Sequence, residues 1–430
     1  MNREFLRLAI PNIITNITVP LLGLVDLALM GHLGDPVYIG AVALGSVIFS
    51  LIYTGFGFLR MGTSGFTAQV FGAKNEIGIN LVLWRSLLVA MGLAFVLIIL
   101  QEPIEIISFN LLDGSNEVRE LAREYFRIRI WAAPATLGLY ALYGWFLGIQ
   151  DAKPPMIIAI SINLINIALN FLFVYQFKMT SDGVAFASVI AQYSGLLIGV
   201  LFLITKYRKL SIWQPLSMLL ETVELKKFFK VNSDIFIRTL ALMMTFTFFT
   251  AISAQMGDMT LAVNSLLIQF LFVFSYFSDG FAFAGEALVG KAYGANNKNL
   301  ISKTVHHLFI WAWLTAVLFS IVFFVGHEQI LSILTNDTEL IKLSVNYHWW
   351  VVILPITTIA AFIWDGVFIG LTASKQMRNV MLFSAFFIFL PSYYLTVNYY
   401  GNHSLWLAMN LFMAVRSLLM WKAWRTLIKI

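Results

Sequence analysis

Long apolar runs, broken at intervals by short polar clusters, dominate the pattern along this chain. Breaking it at those clusters leaves twelve segments: 6–31, 37–72, 79–101, 121–149, 154–176, 184–205, 230–255, 259–292, 302–325, 341–372, 378–399 and 403–427. Each reaches the roughly 20 residues a helix needs to cross the hydrocarbon of a bilayer. The pattern predicts an all-α polytopic membrane protein with twelve transmembrane helices. Helices 2, 8 and 10 are over-long, so they must tilt or protrude. The opening MNREFLRLAI runs into a full-length span with no small-residue cleavage site, and reads as a first helix rather than a signal peptide.

The two halves of the chain are related. FGAKN (71–75) recurs as YGANN (293–297), GWFLGIQDAK (144–153) as DGVFIGLTASK (365–375), and LGD (33–35) as MGD (256–258), at an offset of 222 or 223 residues. Six helices per copy is an even number, so the copies share one orientation and form parallel repeats about an axis along the membrane normal. The expected organisation is two pseudo-symmetric six-helix lobes, 1–205 and 230–430. A basic, mildly amphipathic cytoplasmic segment, 206–229, joins them at the membrane interface. Such a duplication is the framework of an alternating-access transporter.

Composition agrees with the pattern. Hydrophobic residues make up 60% and charged residues 12% of the 430 positions, against about 25% charged in a soluble protein. The net charge of +6 comes from scattered Lys and Arg, so it is not the footprint of a nucleic-acid partner. It is explained by loop topology. With the N-terminus inside, eighteen Lys and Arg lie on the inner side, against Arg119, Arg123, Lys178 and Lys342 outside. Both termini are therefore expected in the cytoplasm of a multi-pass cell-membrane (inner-membrane) protein. The chain has no cysteine, which removes disulfides, thiolate metal sites and a Cys nucleophile. Its six histidines fall in or near loops or helix ends with no metal-ligand pattern, and no serine elbow or helix-borne HExxH appears. An enzyme is not expected, nor a cofactor.

Charges at membrane depth cost at least ~2.5 kcal/mol each and normally face a cavity or a partner. Two groups stand out. Asp26 in the outer half of helix 1, Asn166 and Asn170 one turn apart on helix 5, and Ser188 near the outer end of helix 6 share one depth in the first lobe. They form a candidate proton or cation site, with Pro20 as a hinge six residues before Asp26. No metal site beyond weak sodium binding is expected there. The second group lies nearer the cytoplasm: Arg60 on helix 2, Asp279 and Glu286 on helix 8, and Asp365 on helix 10. Their repeat mates Ala282, Gly57, Ser64 and Tyr143 are uncharged. Arg60 is expected to pair across the lobes with Glu286, Asp279 or Asp365, as a gate or as part of the substrate cavity. Arg85, Arg127, Arg129 and Arg416 lie nearer helix ends and read as residues that snorkel to the interface.

At this point the residues resemble a known family. LGLVDLALMGHLGDPVYIGAVALGSVIFSLIYTGFGFLRMGTSGFTAQVFGAKN, NLINIALNFLFV, SDGFAFAGEALVGKAYGA and WDGVFIG are similar to segments of MATE (multidrug and toxic-compound extrusion) transporters, in particular the DinF-like branch. The resemblance implies a V-shaped pair of lobes acting as a monomer, which exports amphipathic, often cationic organic compounds against inward proton or sodium flow. Carried over residue by residue, it assigns the family's coupling acid to Asp26, its helix 5 asparagine to Asn166 and its helix 6 hydroxyl to Ser188. Where many relatives have Asp, this sequence has Asn170, which removes a carboxylate and favours a proton over sodium. The alternatives are a sodium-coupled exporter and a flippase for a lipid-linked saccharide of the same superfamily. The flippase would want several cavity cations for a diphosphate, whereas only Arg60 and Arg238 are candidates.

Overall fold

The structure is a computed structural model. It describes residues 2–31, 36–112 and 114–428; the side chains of residues 19, 21, 22, 24, 26–31 and 428 lie outside that description. Twelve long helices run through it. They are α1 (Asn2–Gly31), α2 (Pro36–Gly72), α3 (Glu76–Ile99), α4 (Asn116–Gly148), α5 (Lys153–Gln176) and α6 (Ser181–Thr205), then α7 (Thr222–Gln255), α8 (Asp258–Gly294), α9 (Lys298–Leu334), α10 (Thr338–Gly370), α11 (Ser374–Tyr400) and α12 (His403–Ile428). The last eleven are long and apolar enough to cross a membrane; α1, at 30 residues, is about 45 Å long. The all-α polytopic class read from the sequence is the observed one. Helices α7 and α9 are longer than expected, at 34 and 37 residues, because they continue through polar residues that the hydropathy pattern assigns to loops.

The chain divides into two compact units, Ile10–Phe228 and Phe229–Ile430, the latter together with Met1–Ala9. In the second unit, Phe5 stacks against Phe281 and Trp311, which accounts for the placement of the first turns of α1. The segment after α6 packs within the first unit. Arg85 donates to the carbonyls of Leu219 (3.0 Å) and Met218 (2.9 Å), Trp84 donates to Ile212 O, and the Trp84 and Trp213 rings lie 4.7 Å apart. Arg85 therefore does not snorkel; it fastens the connecting segment to α3.

The sequence repeat is written into the backbone. Lys74 and Asn296 both take left-handed conformations (φ 55° and 52°), and so do Gln150 and Thr372 (φ 69° and 52°). Each pair is 222 residues apart. At all four positions the helix closes with the same two bonds, as in Asn75 N to Val70 O and Asn297 N to Ala292 O, which satisfy its last carbonyls. The next residue in the first pair, Asn75 or Asn297, then caps the following helix by accepting from Gly78 N or Leu300 N. The glycine contacts are duplicated too. A Cβ on Gly144 would lie 2.4 Å from Arg60 O, and one on Gly366 would lie 2.1 Å from Ala282 O. Gly148 against Thr67 and Gly370 against Glu286 O repeat the pattern one turn on. These small residues let α4 meet α2, and α10 meet α8, at backbone distance. Helices α4 and α10 are the most enclosed of the spans, with 78% and 67% of their apolar stretch buried.

Candidate functional site

In the first unit, the structure brings Asn166, Asn170 and Ser188 together, as their spacing predicts. Asn170 Nδ2 donates to Asn166 Oδ1 (2.8 Å), and Asn166 Nδ2 donates to Ser188 Oγ (3.1 Å); all three side chains are buried. The side chain of Asp26, the acid expected beside them, lies outside the described residues.

Sequence reasoning missed the cation in this cluster. Arg129 donates through Nη1 to Ser188 Oγ (2.7 Å) and to Tyr125 Oη (2.7 Å). Its guanidinium also lies 5.5 Å from the Phe49 ring centre and 5.6 Å from that of Tyr125. The snorkelling expected of Arg129 is overturned. Because α4 begins at Asn116, not at residue 121, Arg129 stands thirteen residues, about 20 Å, into the helix. On so enclosed a helix the side chain turns inward. Asn163, one turn before Asn166, donates to Thr18 O (3.0 Å) two residues ahead of Pro20, so α5 is tied to α1 next to the expected hinge.

Arg129, Ser188 and Asn163 face a cavity of about 450 Å³ that is also lined by Tyr53, Tyr140 and Tyr143. Arg60 lies just beyond a break in α2 at Phe56–Gly57, where the bonds tighten to Phe56 N–Tyr53 O and Gly57 N–Thr54 O. It is half-buried and close enough to Tyr140 to act on it electrostatically.

The second unit holds a different arrangement. The Asp365 carboxylate accepts from both Arg238 and Arg416, through the same oxygen. The three residues are 6%, 7% and 2% exposed, and Asp279 is near enough to act electrostatically on both guanidiniums. Asp365, expected to face Arg60, is thus held by two arginines of its own unit. Arg416, expected to snorkel, stands thirteen residues into α12 and turns inward as Arg129 does. Of the four arginines read as snorkelling, Arg127 alone is largely exposed, and it forms a two-bond ion pair with Glu105 (2.9 and 3.0 Å). Glu286 is fully buried on α8.

Neither cluster is copied by the repeat. At the offset of 222, Val351, Ile388, Ser392 and Asn410 stand where Arg129, Asn166, Asn170 and Ser188 would be, and Asn16, Tyr143 and Ser194 stand where Arg238, Asp365 and Arg416 would be. The scaffold is duplicated, while the buried charge is specific to each half.

A doubly repeated helical bundle with buried charges and a cavity at membrane depth defines a multi-pass transporter. The MatE family profile matches residues 11–172 and 235–395, one stretch in each repeat, and the chain belongs to that family. It is 39% identical to the DNA damage-inducible protein F of Escherichia coli K12 over 423 residues, covering 97% of this chain and 91% of that protein. It is 26% identical to the human multidrug and toxin extrusion protein 1 over 351 residues, 79% of this chain and 60% of that one. The crystal structure of a MATE transporter in the bent conformation superposes with a TM-score of 0.90 at 20% identity, covering 100% of this chain and 95% of that one, which establishes the fold. Members of the family are transporters, not enzymes.

Proposed function

We propose that this protein exports amphipathic, often cationic organic compounds in exchange for inward protons, from a cell membrane in which both termini are cytoplasmic. The coupling site is the first-unit cluster: Asp26 takes up and releases the proton, with Arg129, Asn166, Asn170 and Ser188 around it. Arg60, Asp279 and Glu286 contribute charge along the substrate route, and three tyrosines of the first-unit cavity offer ring faces to flat substrates.

The observation that carries the choice of ion is the bond from Arg129 to Ser188. A hydroxyl has two acceptor lone pairs. Those of Ser188 receive Arg129 and Asn166, so this oxygen has none to offer a metal ion. A sodium ion about 4 Å from the guanidinium would be repelled by about 4 kcal/mol at an effective dielectric of 20. That cancels a millimolar affinity, which is worth about 4 kcal/mol. One carboxylate, Asp26, balances one of the two charges and not both. A proton needs a single base instead of an oxygen cage, and Arg129 serves as countercharge while Asp26 is ionised.

The test is dye efflux from proteoliposomes under an imposed pH gradient. Asp26→Asn and Arg129→Gln should each abolish uphill efflux while dye binding persists. Uphill efflux at the wild-type rate in either variant would refute the assignment.

A further inference from the structure

One cavity of the second unit is lined by none of the charged residues of either cluster, although it includes Trp364 and Ser417, the chain neighbours of Asp365 and Arg416. It is a groove of about 680 Å³ in the second unit, and α9, α10 and α12 each give it one face. Along α9 it runs from Ser302 to Trp313, eleven residues or about 16 Å. That matches half of the roughly 30 Å hydrocarbon core, the depth of one leaflet. Trp364 and Trp424, 5.5 Å apart and almost fully buried, form its floor; Trp313 and Trp421, 41% and 43% exposed, form its walls.

The repeat shows why a groove stands here. The first-unit counterparts of Trp313, Trp364, Trp421 and Trp424 are Met91, Leu142, Gly199 and Phe202. A Cβ on Gly199 would lie 2.7 Å from the Leu142 side chain, so α6 settles directly onto α4. Trp84 and Arg85, the counterparts of His306 and His307, are covered by the segment that follows α6. In the second unit, tryptophan replaces the glycine and no such segment among the described residues covers the groove.

One end of the groove is basic. A second cavity of about 340 Å³ adjoins it, sharing Trp424 and lined by Tyr293, Asn296 and Lys298. The Arg425 guanidinium stacks on Trp421, 3.9 Å from the ring centre. The stretches that frame this end, 291–306, 371–378 and 421–428, contain Lys291, Lys298, Lys303, Lys375, Arg378, Lys422 and Arg425 and no acidic residue of their own; Arg378 pairs with Asp234 from α7. An apolar slot one leaflet deep that ends beside Lys298 and Arg425 is complementary to an acyl chain with a negative headgroup.

We propose that this groove is a binding site for an anionic phospholipid of the leaflet that the basic loops face, with an acyl chain along the tryptophans and the phosphate between Lys298 and Arg425. Groove tryptophans make the site readable, because bromine on an acyl chain quenches the indole it touches. Full-length protein in neutral detergent is titrated at low salt with acyl-brominated phosphatidylglycerol and, separately, phosphatidylcholine. Each basic contact contributes about fivefold, ~1 kcal/mol, so the phosphatidylglycerol should quench with about 25-fold higher affinity. Lys298→Gln/Arg425→Gln should bring the two lipids to parity, and Ala414→Phe, which fills the groove, should weaken quenching by both. Four results would overturn the proposal: equal affinities in the unmutated protein, a preference intact in the double variant, quenching relieved by ethidium but not by unbrominated phosphatidylglycerol, or quenching lost on self-association of the protein. The third would make the groove a substrate entrance, and the fourth an interface between copies.

Discussion

Asp365→Asn should be among the most damaging isosteric substitutions in the second unit. In the folded protein, one carboxylate oxygen accepts from Arg238 and Arg416, and both guanidiniums are buried. Removing the acid from a buried pair costs about 3–5 kcal/mol, chiefly because the other charge is left uncompensated. Here two charges are left, with Asp279 as the nearby acid that offsets part of the loss. For a unit of about 200 residues, each kcal/mol lowers Tm by roughly 2–4 °C, so a drop of roughly 10 °C is expected. The decisive comparison is the double variant Asp365→Asn/Arg416→Gln, which removes one charge of each sign. It should recover at least half of the lost Tm when both are measured by thermal unfolding in the same detergent. A single variant within about 2 °C of the unmutated protein would refute the reasoning. So would a double variant less stable than the single one, because it would mean that the arginines stabilise the fold independently of the acid.

Gly366→Ala should destabilise by about 1–3 kcal/mol, since the added methyl meets the Ala282 carbonyl, a backbone atom that cannot rotate away. Gly92→Ala, on α3 with nothing within 4 Å, should instead stabilise by up to about 1 kcal/mol in the same unfolding assay. At the loop between α4 and α5, burial works to raise the Asp151 carboxyl pKa, but bonds from Lys206, Tyr207 and Lys153 N outweigh it and hold the pKa below its ordinary value. The Lys206 amine is raised by the same bond to Asp151. The carboxylate's contribution is therefore present above its unfolded pKa of about 3.9 and lost as pH falls through the lower folded value; that of Lys206 persists up to about pH 10.4 and is lost as pH rises through its folded value. Asp151→Asn should cost about 1–3 kcal/mol, nearly constant between about pH 5 and 9, with the difference closing in strong acid. A cost that peaks near pH 7 would contradict this.

The duplication is legible in the sequence through recurring motifs such as FGAKN and YGANN, and the helices and the polar triad of Asn166, Asn170 and Ser188 through hydropathy and spacing. Hydropathy and i, i+4 spacing are one-dimensional signals of depth and face. Direction is not. Arg129 reads as an interface residue because the apolar run of its helix begins at 121, eight residues before it; Arg416 is thirteen residues into a run that begins at 403, and only packing shows which way it turns. The charged stretch Asn116–Arg129 is itself the start of α4, and both arginines stand on helices whose apolar stretch is mostly buried, 78% for α4 and 61% for α12. A tyrosine at i−4, as in Tyr125 and Arg129, was the available local signal. The partner of Asp365 was equally illegible. The sequence offers Arg60, Arg238 and Arg416 as cations for three acids, and only packing within the second unit selects Arg238 and Arg416 for Asp365.

The central claim concerns the ion that drives export, and one measurement addresses it most directly. Purified protein is reconstituted into vesicles loaded with ethidium, and efflux is followed under two separate gradients. In the first, a pH gradient is imposed with sodium absent from both sides; in the second, a sodium gradient is imposed with the pH gradient clamped to zero by ionophore and buffer. The account predicts uphill efflux in the first and only passive leak in the second. Robust uphill efflux driven by sodium alone would contradict it, because the Arg129–Ser188 bond would then have to yield its oxygen to a metal ion.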